Sequence, residues 1–234
     1  MEDYIVSIIV TIFVTAIVYA AIKYWQPSSS STQGIVTTIQ DGKGEMNYSG
    51  SIQSSNNQPD GLSFSYVGWI FIDDFTYRYG EKKIVFTKGT PDLKISCPAL
   101  VLDAQNNSFL VYVDTFGSQE VVPISNLTAK KWIHFAIVVD QTAVNVYING
   151  TLHTHHTMNQ LPKQNTANLL VSPGGGFSGK VGLLQYYPNT LSPSDVSGLS
   201  MNAPQQGGEL GILPPYYAPS WWLGSDRSSD RRRK

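Results

Sequence analysis

The chain is poor in cysteine and in charge. Cys97 is the one cysteine among 234 residues, which excludes an internal disulfide. Charged residues make up 14% of the chain, against roughly 25% in an average soluble protein. With a formal net charge of −1, a globally basic nucleic-acid binder is excluded and no specific nucleic-acid partner is expected. No Gly-x-Ser-x-Gly, P-loop or dinucleotide-binding motif occurs, so these hydrolase and nucleotide signatures are missing.

Turn and strand formers are abundant instead, with 20 Gly, 13 Pro and 13 Tyr. Short β-branched or aromatic runs alternate with polar, Gly or Pro breaks, and no run keeps a 3.6-residue period. The runs are 34–40, 62–72, 82–89, 98–104, 108–115, 120–125, 131–140 and 143–150. The connections are too short for helical crossovers. The pattern therefore predicts an antiparallel sandwich or barrel.

The run AVNVYING (143–150) predicts a hairpin by itself. Val144, Val146 and Ile148 fall on one face of an extended strand. Asn149-Gly150 is a strong two-residue turn signal, because both residues tolerate positive φ. Residues 151–156 are then the expected partner strand.

Near the start, Tyr4 to Ile22 form an uncharged run that as a helix spans roughly 28 Å, close to the thickness of a bilayer core. A cleaved signal peptide is the alternative, but it needs a basic start and Met1-Glu2-Asp3 is acidic. The sequence predicts a transmembrane anchor over 1–25 and a Ser-rich linker over 26–33. The anchor residues are Tyr4, Ile5, Ile9, Ile12, Phe13, Ile17, Ile22, Tyr24 and Trp25.

Ser7, Thr11 and Thr15 share one face of this helix. They either pack against another membrane helix or bond back to their own backbone. The orientation of this helix in the membrane stays open. Lys23 favours a cytosolic C-terminal part, whereas sequons at Asn47, Asn106, Asn126 and Asn149 favour the other side if they are used.

Four segments, in order, resemble laminin G-like domains of the concanavalin A-like lectin/glucanase superfamily. They are FSYVGWIFI, KKIVFTKG, KKWIHFAIVVDQTAVNVYING and GGGFSGKVGLLQYYPNTLSPSDV. The resemblance covers roughly 34–200 and implies an all-β fold, a concanavalin A-like jelly roll of two packed antiparallel sheets. It also implies a turn at Leu191-Ser192 before a short helix. The residues that carry the fold signature are Trp69, Trp132, Tyr147, Asn149, Gly150, Phe177 and Gly179.

The resemblance raises the question of glucanase chemistry, which needs two carboxyl groups across the scissile bond. The chain has five Glu, and none lies two or three residues from an Asp in a suitable strand. Asp73 and Asp74 are adjacent and would point to opposite faces. We expect no enzymatic activity and no cofactor.

Two sets of residues are candidates for metal binding. His153 and His155 would share a strand face, with His156 beside them, but no Cys or acidic residue is near in sequence. Some laminin G-like domains bind calcium through loop carboxylates, for which Asp73, Asp74, Asp114 and Asp140 are the candidates. No metal site is predicted.

The tail, 201–234, is rich in Pro and Gly and yet aromatic. Tyr216, Tyr217, Trp221, Trp222 and Leu223 are candidate docking anchors. The alternative is that the segment folds back over its own sandwich. Arg231, Arg232, Arg233 and Lys234 form a basic end that suits an anionic surface or a solvated terminus.

These features lead to three hypotheses, the weakest of which is a degenerate or unrecognised carbohydrate-active enzyme. The first is a non-enzymatic, single-pass membrane protein that tethers a lipid bilayer to a protein shell, since laminin G-like proteins occur among virion components of large icosahedral DNA viruses. It would be a minor capsid or virion component in an inner membrane, with the sandwich facing the capsid proteins. The alternative is a membrane-anchored lectin that binds glycans at a cell surface or envelope.

Overall fold

The computed structural model describes residues 11–19, 32–58 and 61–204. Helix α1 covers 11–19, and helix α2 covers Pro193–Leu199. Between them lie β1 (Gln33–Val36), β2 (Gln40–Asp41), β3 (Met46–Tyr48), β4 (Asn56–Gln58), β5 (Gly61–Asp74), β6 (Lys83–Gly89), β7 (Ser96–Leu102), β8 (Phe109–Val113), β9 (Glu120–Ile124), β10 (Trp132–Asp140), β11 (Ala143–Ile148), β12 (Thr151–Thr157), β13 (Leu169–Val171) and β14 (Ser178–Tyr187).

The strands form two sheets. The large sheet has eight strands in the order β1-β14-β5-β10-β11-β12, with β2 paired to β14 and β4 paired to β5. The small sheet has six strands in the order β3-β13-β6-β7-β8-β9. Neighbouring strands run antiparallel, as in the β5–β10 pair that aligns Ser63 with Asp140 and Phe71 with Trp132. The predicted antiparallel β-sandwich is confirmed.

The core lies between the sheets and follows from strand alternation. Ile133, Phe135 and Ile137 of β10 point into the interior and are almost fully buried. The Phe135 ring stacks on Phe86 of the small sheet, with 6.0 Å between ring centroids. Burying each such side chain contributes about 1.5–3 kcal/mol.

Residues of β10 that face outward are also buried, because α2 covers that face of the large sheet. Ala136 and Val138 pack in a second cluster with Val196 of the helix. This explains why residues 135–139 are continuously apolar instead of alternating. Ser192 caps α2 and forms a capping box with Asp195, so the predicted turn and short helix are confirmed.

The predicted hairpin is present. Asn149 (φ 50°) and Gly150 (φ 80°) form the turn between β11 and β12. A Cβ at Gly150 would lie 2.4 Å from the Ser200 hydroxyl, so the position requires glycine for space as well as for φ.

Two strands at the edges of the sheets are irregular. Tyr147 pairs with Leu152 while Val146 pairs with Thr154, which makes His153 an extra residue in edge strand β12. On the small sheet, Pro123 lies in edge strand β9, the position where a residue without an N–H is tolerated.

The amino-terminal helix is described over nine residues only, against the predicted Tyr4–Ile22. Within the described ranges, no helix is long and apolar enough to cross a bilayer. Ile12, Phe13 and Ile17 lie in α1 and are exposed. The Thr15 hydroxyl donates to the Thr11 and Ile12 carbonyls at 3.0 and 2.9 Å, which is the backbone alternative stated above.

Several predicted contact residues fall outside the described ranges. These are the anchor residues Tyr4, Ile5, Ile9, Ile22, Tyr24 and Trp25, the docking anchors Tyr216, Tyr217, Trp221, Trp222 and Leu223, and the basic end at 231–234. Their roles stay predictions from the sequence.

Candidate functional site

A groove of about 850 Å³ runs between α2 and the outer face of the large sheet. Val138, Tyr147 and Tyr187 form its floor, and the segment 189–199 forms one wall. Asp140 and Asn145 stand at its rim. We call this feature the α2 groove.

The wall of the α2 groove is fixed from below by a buried serine. The Ser65 hydroxyl of β5 donates to the Asn189 carbonyl at 2.9 Å and accepts from the Leu191 N–H at 3.1 Å. Ser65 is fully buried, so both bonds are shielded from water and hold the loop before α2 in one position. The capping box of α2 then sets the direction of the helix.

The floor of the α2 groove is made of two tyrosines that are more than nine-tenths buried beneath α2. The Tyr187 hydroxyl donates to Gln185 Oε1 at 3.0 Å. Burial raises the pKa of Tyr187, so this phenol stays neutral. Because the helix covers the rings, the exposed surface of the groove comes mainly from its rim and its wall.

The rim carries negative charge. The Asp140 carboxylate is exposed and has neither a hydrogen bond nor an ion pair among the described residues. The Asp195 carboxylate is occupied by the Ser192 N–H and hydroxyl at 3.1 and 2.6 Å. Within the described part of the chain, no Lys, Arg or His lines the groove. An acidic ligand would be repelled here.

Amide groups add further polar atoms to the groove. Asn189 Nδ2 donates to the Thr190 carbonyl at 2.9 Å, whereas its Oδ1 is buried and has no partner in the described ranges. Asn145 Oδ1 lies 2.6 Å from His155 Nδ1. A carboxylate and an amide at the rim, with the partly exposed Leu199 beside them, suit a neutral ligand rich in hydroxyl groups.

The three histidines of β12 each have a different neighbour. His153 Nδ1 lies 2.9 Å from Thr154 Oγ1, and His155 contacts Asn145 as above. His156 Nε2 lies 2.6 Å from Glu120 Oε2 and so joins the edges of the two sheets. Among the residues the structure describes, no three His, Cys, Asp or Glu side chains form a metal-binding group.

Three of the four aspartates considered for calcium have local structural partners. Asp74 accepts from the Thr76 N–H and hydroxyl at 2.8 and 2.6 Å, bonds that lower its pKa. Asp73 lies 3.8 Å from Lys130, and Asp114 accepts from the Ser96 N–H at 2.7 Å. The fourth, Asp140, is the one that lines the α2 groove.

The fold-signature residues serve the scaffold, with one exception. Trp69 packs on the outer face of the large sheet with its ring 5.0 Å from that of His134. Asn149 accepts from the His134 N–H at 2.9 Å. Trp132 contacts Phe71, Phe177 is fully buried, and Gly179 lies against the Phe71 carbonyl. Tyr147 alone lines the groove.

Sequence reasoning did not single out Asn145 or Asn189. Alternation in AVNVYING places Asn145 and Tyr147 on the face opposite the valines, which is a usable signal. Nothing in the sequence indicates that α2 covers part of that face.

A profile described as the concanavalin A-like lectin/glucanases superfamily, of laminin G type, matches residues 43–197. No curated protein has a sequence that matches the chain.

Solved structures with a similar fold include the following three. The receptor-binding domain of botulinum neurotoxin D is 12% identical, with a TM-score of 0.56 over 75% of this chain and 46% of that one. The binding domain of Paraclostridial Mosquitocidal Protein 1 is 15% identical, with a TM-score of 0.53 over 75% and 48%. A structure of botulinum neurotoxin type C, whose cell entry is dependent upon interaction with two ganglioside molecules, is 13% identical, with a TM-score of 0.50 over 74% and 46%. The chain spans about half the length of these domains, and identities this low establish the fold alone.

Proposed function

Because the chain belongs to the concanavalin A-like lectin/glucanases superfamily, we propose that it is a non-enzymatic binding module that holds neutral glycans in the α2 groove. Membrane attachment through the amino-terminal helix is part of the proposal. The ganglioside dependence of the type C neurotoxin supports a glycan as the class of ligand. The location of the site rests on this chain's own residues.

The observation that carries the proposal is the Asp140 carboxylate at the rim of a groove of about 850 Å³, where the described residues supply neither a partner for Asp140 nor a lining cation. A carboxylate accepts hydrogen bonds from two neighbouring hydroxyls at once. The Asn145 amide extends the same polar surface, and the partly exposed Leu199 offers apolar contact beside it. Sugar rings present this combination of hydroxyl edges and C–H faces.

Absence of catalysis is supported by the aspartates the sequence raised. A glycosidase needs two carboxyl groups about 5–10 Å apart and free to act. Asp74 is held in a turn by Thr76, and Asp73 is paired with Lys130. Asp195, which shares the groove with Asp140, is bound within the capping box.

The experiment is a glycan array probed with the full-length chain in nanodiscs, followed by titration of any neutral glycan that binds. Asp140→Asn keeps the shape and removes the charge, and we expect about tenfold weaker binding, or roughly 1.4 kcal/mol. Asp73→Asn is the matched control, since Asp73 is a partly exposed carboxylate outside the groove. The affinity of this variant for the glycan should equal that of the parent. A blank array, or equal affinity in Asp140→Asn and the parent, would refute the site.

Membrane attachment is supported by the uncharged run 4–22 and by the exposed apolar side chains of α1, with Phe13 68% and Ile12 63% exposed. Apolar area of this kind is favourable in lipid and unfavourable in water. We expect the chain to stay with vesicles after alkaline carbonate washing, and a variant lacking 1–31 to be released. Release of the full chain would exclude the anchor.

The shell-tethering role remains the second candidate. Its docking residues, Tyr216 to Leu223, lie outside the described ranges, so it rests on sequence alone. Deletion of 210–234 should abolish co-purification with a shell protein after detergent treatment. Retained association would exclude tail docking.

A further inference from the structure

A second cavity, of about 390 Å³, lies at one end of the space between the sheets. The loop 50–54 and the loop 164–169 form its rim. Its base is formed where Lys88 of β6 and Cys97 of β7 meet Tyr66 of β5. The α2 groove contributes no residue to it.

Lys88 is the one charged residue among the described residues that line this cavity. Its ammonium donates to the carbonyls of Asn165 (3.1 Å) and Ala167, and these two bonds secure the 165–167 turn. An ammonium has three N–H donors, so one is left for the cavity. No carboxylate in the described ranges pairs with Lys88, and burial lowers its pKa. The positive charge is therefore uncompensated.

Tyr66 brings a second donor. Its side chain is 1% exposed, and its ring packs against Phe86 and Tyr186, with centroids 5.4 and 5.0 Å away. Its hydroxyl has no hydrogen-bond partner among the described residues, although the residue lines the cavity. Burial raises the pKa of Tyr66 well above its ordinary value, so the hydroxyl keeps its proton. The hydroxyl oxygen is not among the fully buried polar atoms that lack a partner in the described ranges, so it is open to the cavity, where a ligand acceptor can reach it.

Cys97 completes the base. It is 2% exposed, and burial raises the pKa of its thiol to about 12. The thiol therefore carries no negative charge that could neutralise Lys88. Together the base presents an ammonium, a phenol and a thiol, all of which donate. The rim adds neutral hydroxyl and amide groups from Ser51, Ser54, Gln164 and Thr166.

We propose that this cavity binds a small polyhydroxylated ligand through a single carboxylate held by Lys88 and Tyr66. One positive charge matches one carboxylate, whereas a phosphate of charge about −1.5 to −2 would stay under-neutralised. The hydroxylated rim suits the remainder of an acidic sugar residue. The volume lies at the small end of the range for ligand pockets. The inference does not rest on the α2 groove.

The test compares glucuronate with glucuronamide, which has nearly the same shape but no charge, by calorimetric titration of the full-length chain in nanodiscs. Glucuronate should bind at least about tenfold more tightly, the equivalent of one charge-assisted hydrogen bond. Equal affinity for the two, or no binding of glucuronate at roughly 10 mM, a very weak affinity, would overturn the proposal. Inorganic phosphate binding more tightly than glucuronate would overturn the choice of a carboxylate.

Substitutions test which residues contact the carboxylate of the ligand. Lys88→Met should abolish glucuronate binding, with Lys94→Met, an exposed lysine paired to Asp92, as the matched control. Because Lys88 also secures a turn, Tyr66→Phe is the independent variant. It removes only an unpartnered hydroxyl, so the melting temperature should be unchanged or higher while affinity falls several-fold. Unchanged affinity in Tyr66→Phe would contradict the geometry.

Two further binding measurements identify the source of the ligand and distinguish binding in this cavity from binding in the groove. Methyl glucuronoside binding alongside glucuronate would indicate the end of a glycan chain, whereas binding of the free acid alone would indicate a soluble hydroxy acid. Asp140→Asn should leave glucuronate affinity unchanged. A parent chain that binds glucuronate but no neutral glycan would refute the groove alone, whereas one that binds neutral glycans but not glucuronate would refute this cavity alone.

Discussion

His134 makes the stability of this fold sensitive to mild acid. Its side chain is fully buried on the outer face of β10, beside the Trp69 ring. Neither ring nitrogen has a hydrogen-bond partner among the described residues. Burial lowers the pKa of His134 from 6.5 to about 4. Protonation in place would leave an unpaired charge in an apolar layer, so the folded state disfavours it.

The sign and size of the change in stability with pH follow from the linkage between proton binding and folding. A folded-state pKa below the unfolded value means that the unfolded chain binds more protons between those values, so stability falls as pH falls through that window. A difference of roughly 2.5 pKa units is worth about 3 kcal/mol once pH reaches 4. Between pH 7 and pH 5 the loss is about 2 kcal/mol, and above pH 7 the His134 contribution is constant.

The perturbation is His134→Leu, which fills a similar volume without polar atoms. Urea unfolding followed by tryptophan fluorescence should give the parent chain about 2 kcal/mol less stability at pH 5 than at pH 7 from this residue. The variant should lack that increment and should be at least as stable as the parent at pH 7, because two unpartnered nitrogens are removed. His153→Gln, at an exposed histidine, is the control and should keep the loss. Equal pH dependence in parent and His134→Leu would refute the reasoning.

Three other substitutions test how the groove and its supports are held. Ser65→Ala should destabilise by about 1–3 kcal/mol and weaken neutral-glycan binding, because both bonds to the loop before α2 are lost; an unaltered urea midpoint would contradict this. Ser192→Ala removes the capping box and should lower stability by about 1 kcal/mol, measured by thermal unfolding. Gly150→Ala should destabilise by more than Gly80→Ala, since both have positive φ but only the first meets Ser200, with nothing within 4 Å of a Cβ at Gly80. The reverse order would show that space at the hairpin turn is not limiting.

The sequence was sufficient for the long strands and for the hairpin, because their cues are local. Asn149-Gly150 carries its own turn chemistry, and the runs 62–72 and 131–140 are long enough to identify. The strands β3 and β13 have three residues each, and three residues cannot show a period. Those two strands were therefore missed, although they form one side of the small sheet.

The two proposed binding sites could not be predicted from the sequence, for a different reason. Asp140 and Asn145 reach one rim only through the pairing of β10 with β11 and the placement of α2. Lys88 and Tyr66 belong to different sheets, and their proximity depends on how the sheets pack. Sequence identified Asp140 as a residue of interest and offered no neighbour for it. Contacts between distant segments are set by packing, which leaves no local pattern.

The irregular strands at the two sheet edges have a consequence for crowding. Proteins held on a membrane meet each other edge to edge at high local concentration, and an open strand edge is then a template for intermolecular pairing and aggregation. The extra residue at His153 interrupts the exposed ladder of β12, and Pro123 removes an N–H from β9. Straightening both edges, by deleting His153 and replacing Pro123 with Val, should make the sandwich more prone to form sheets between molecules.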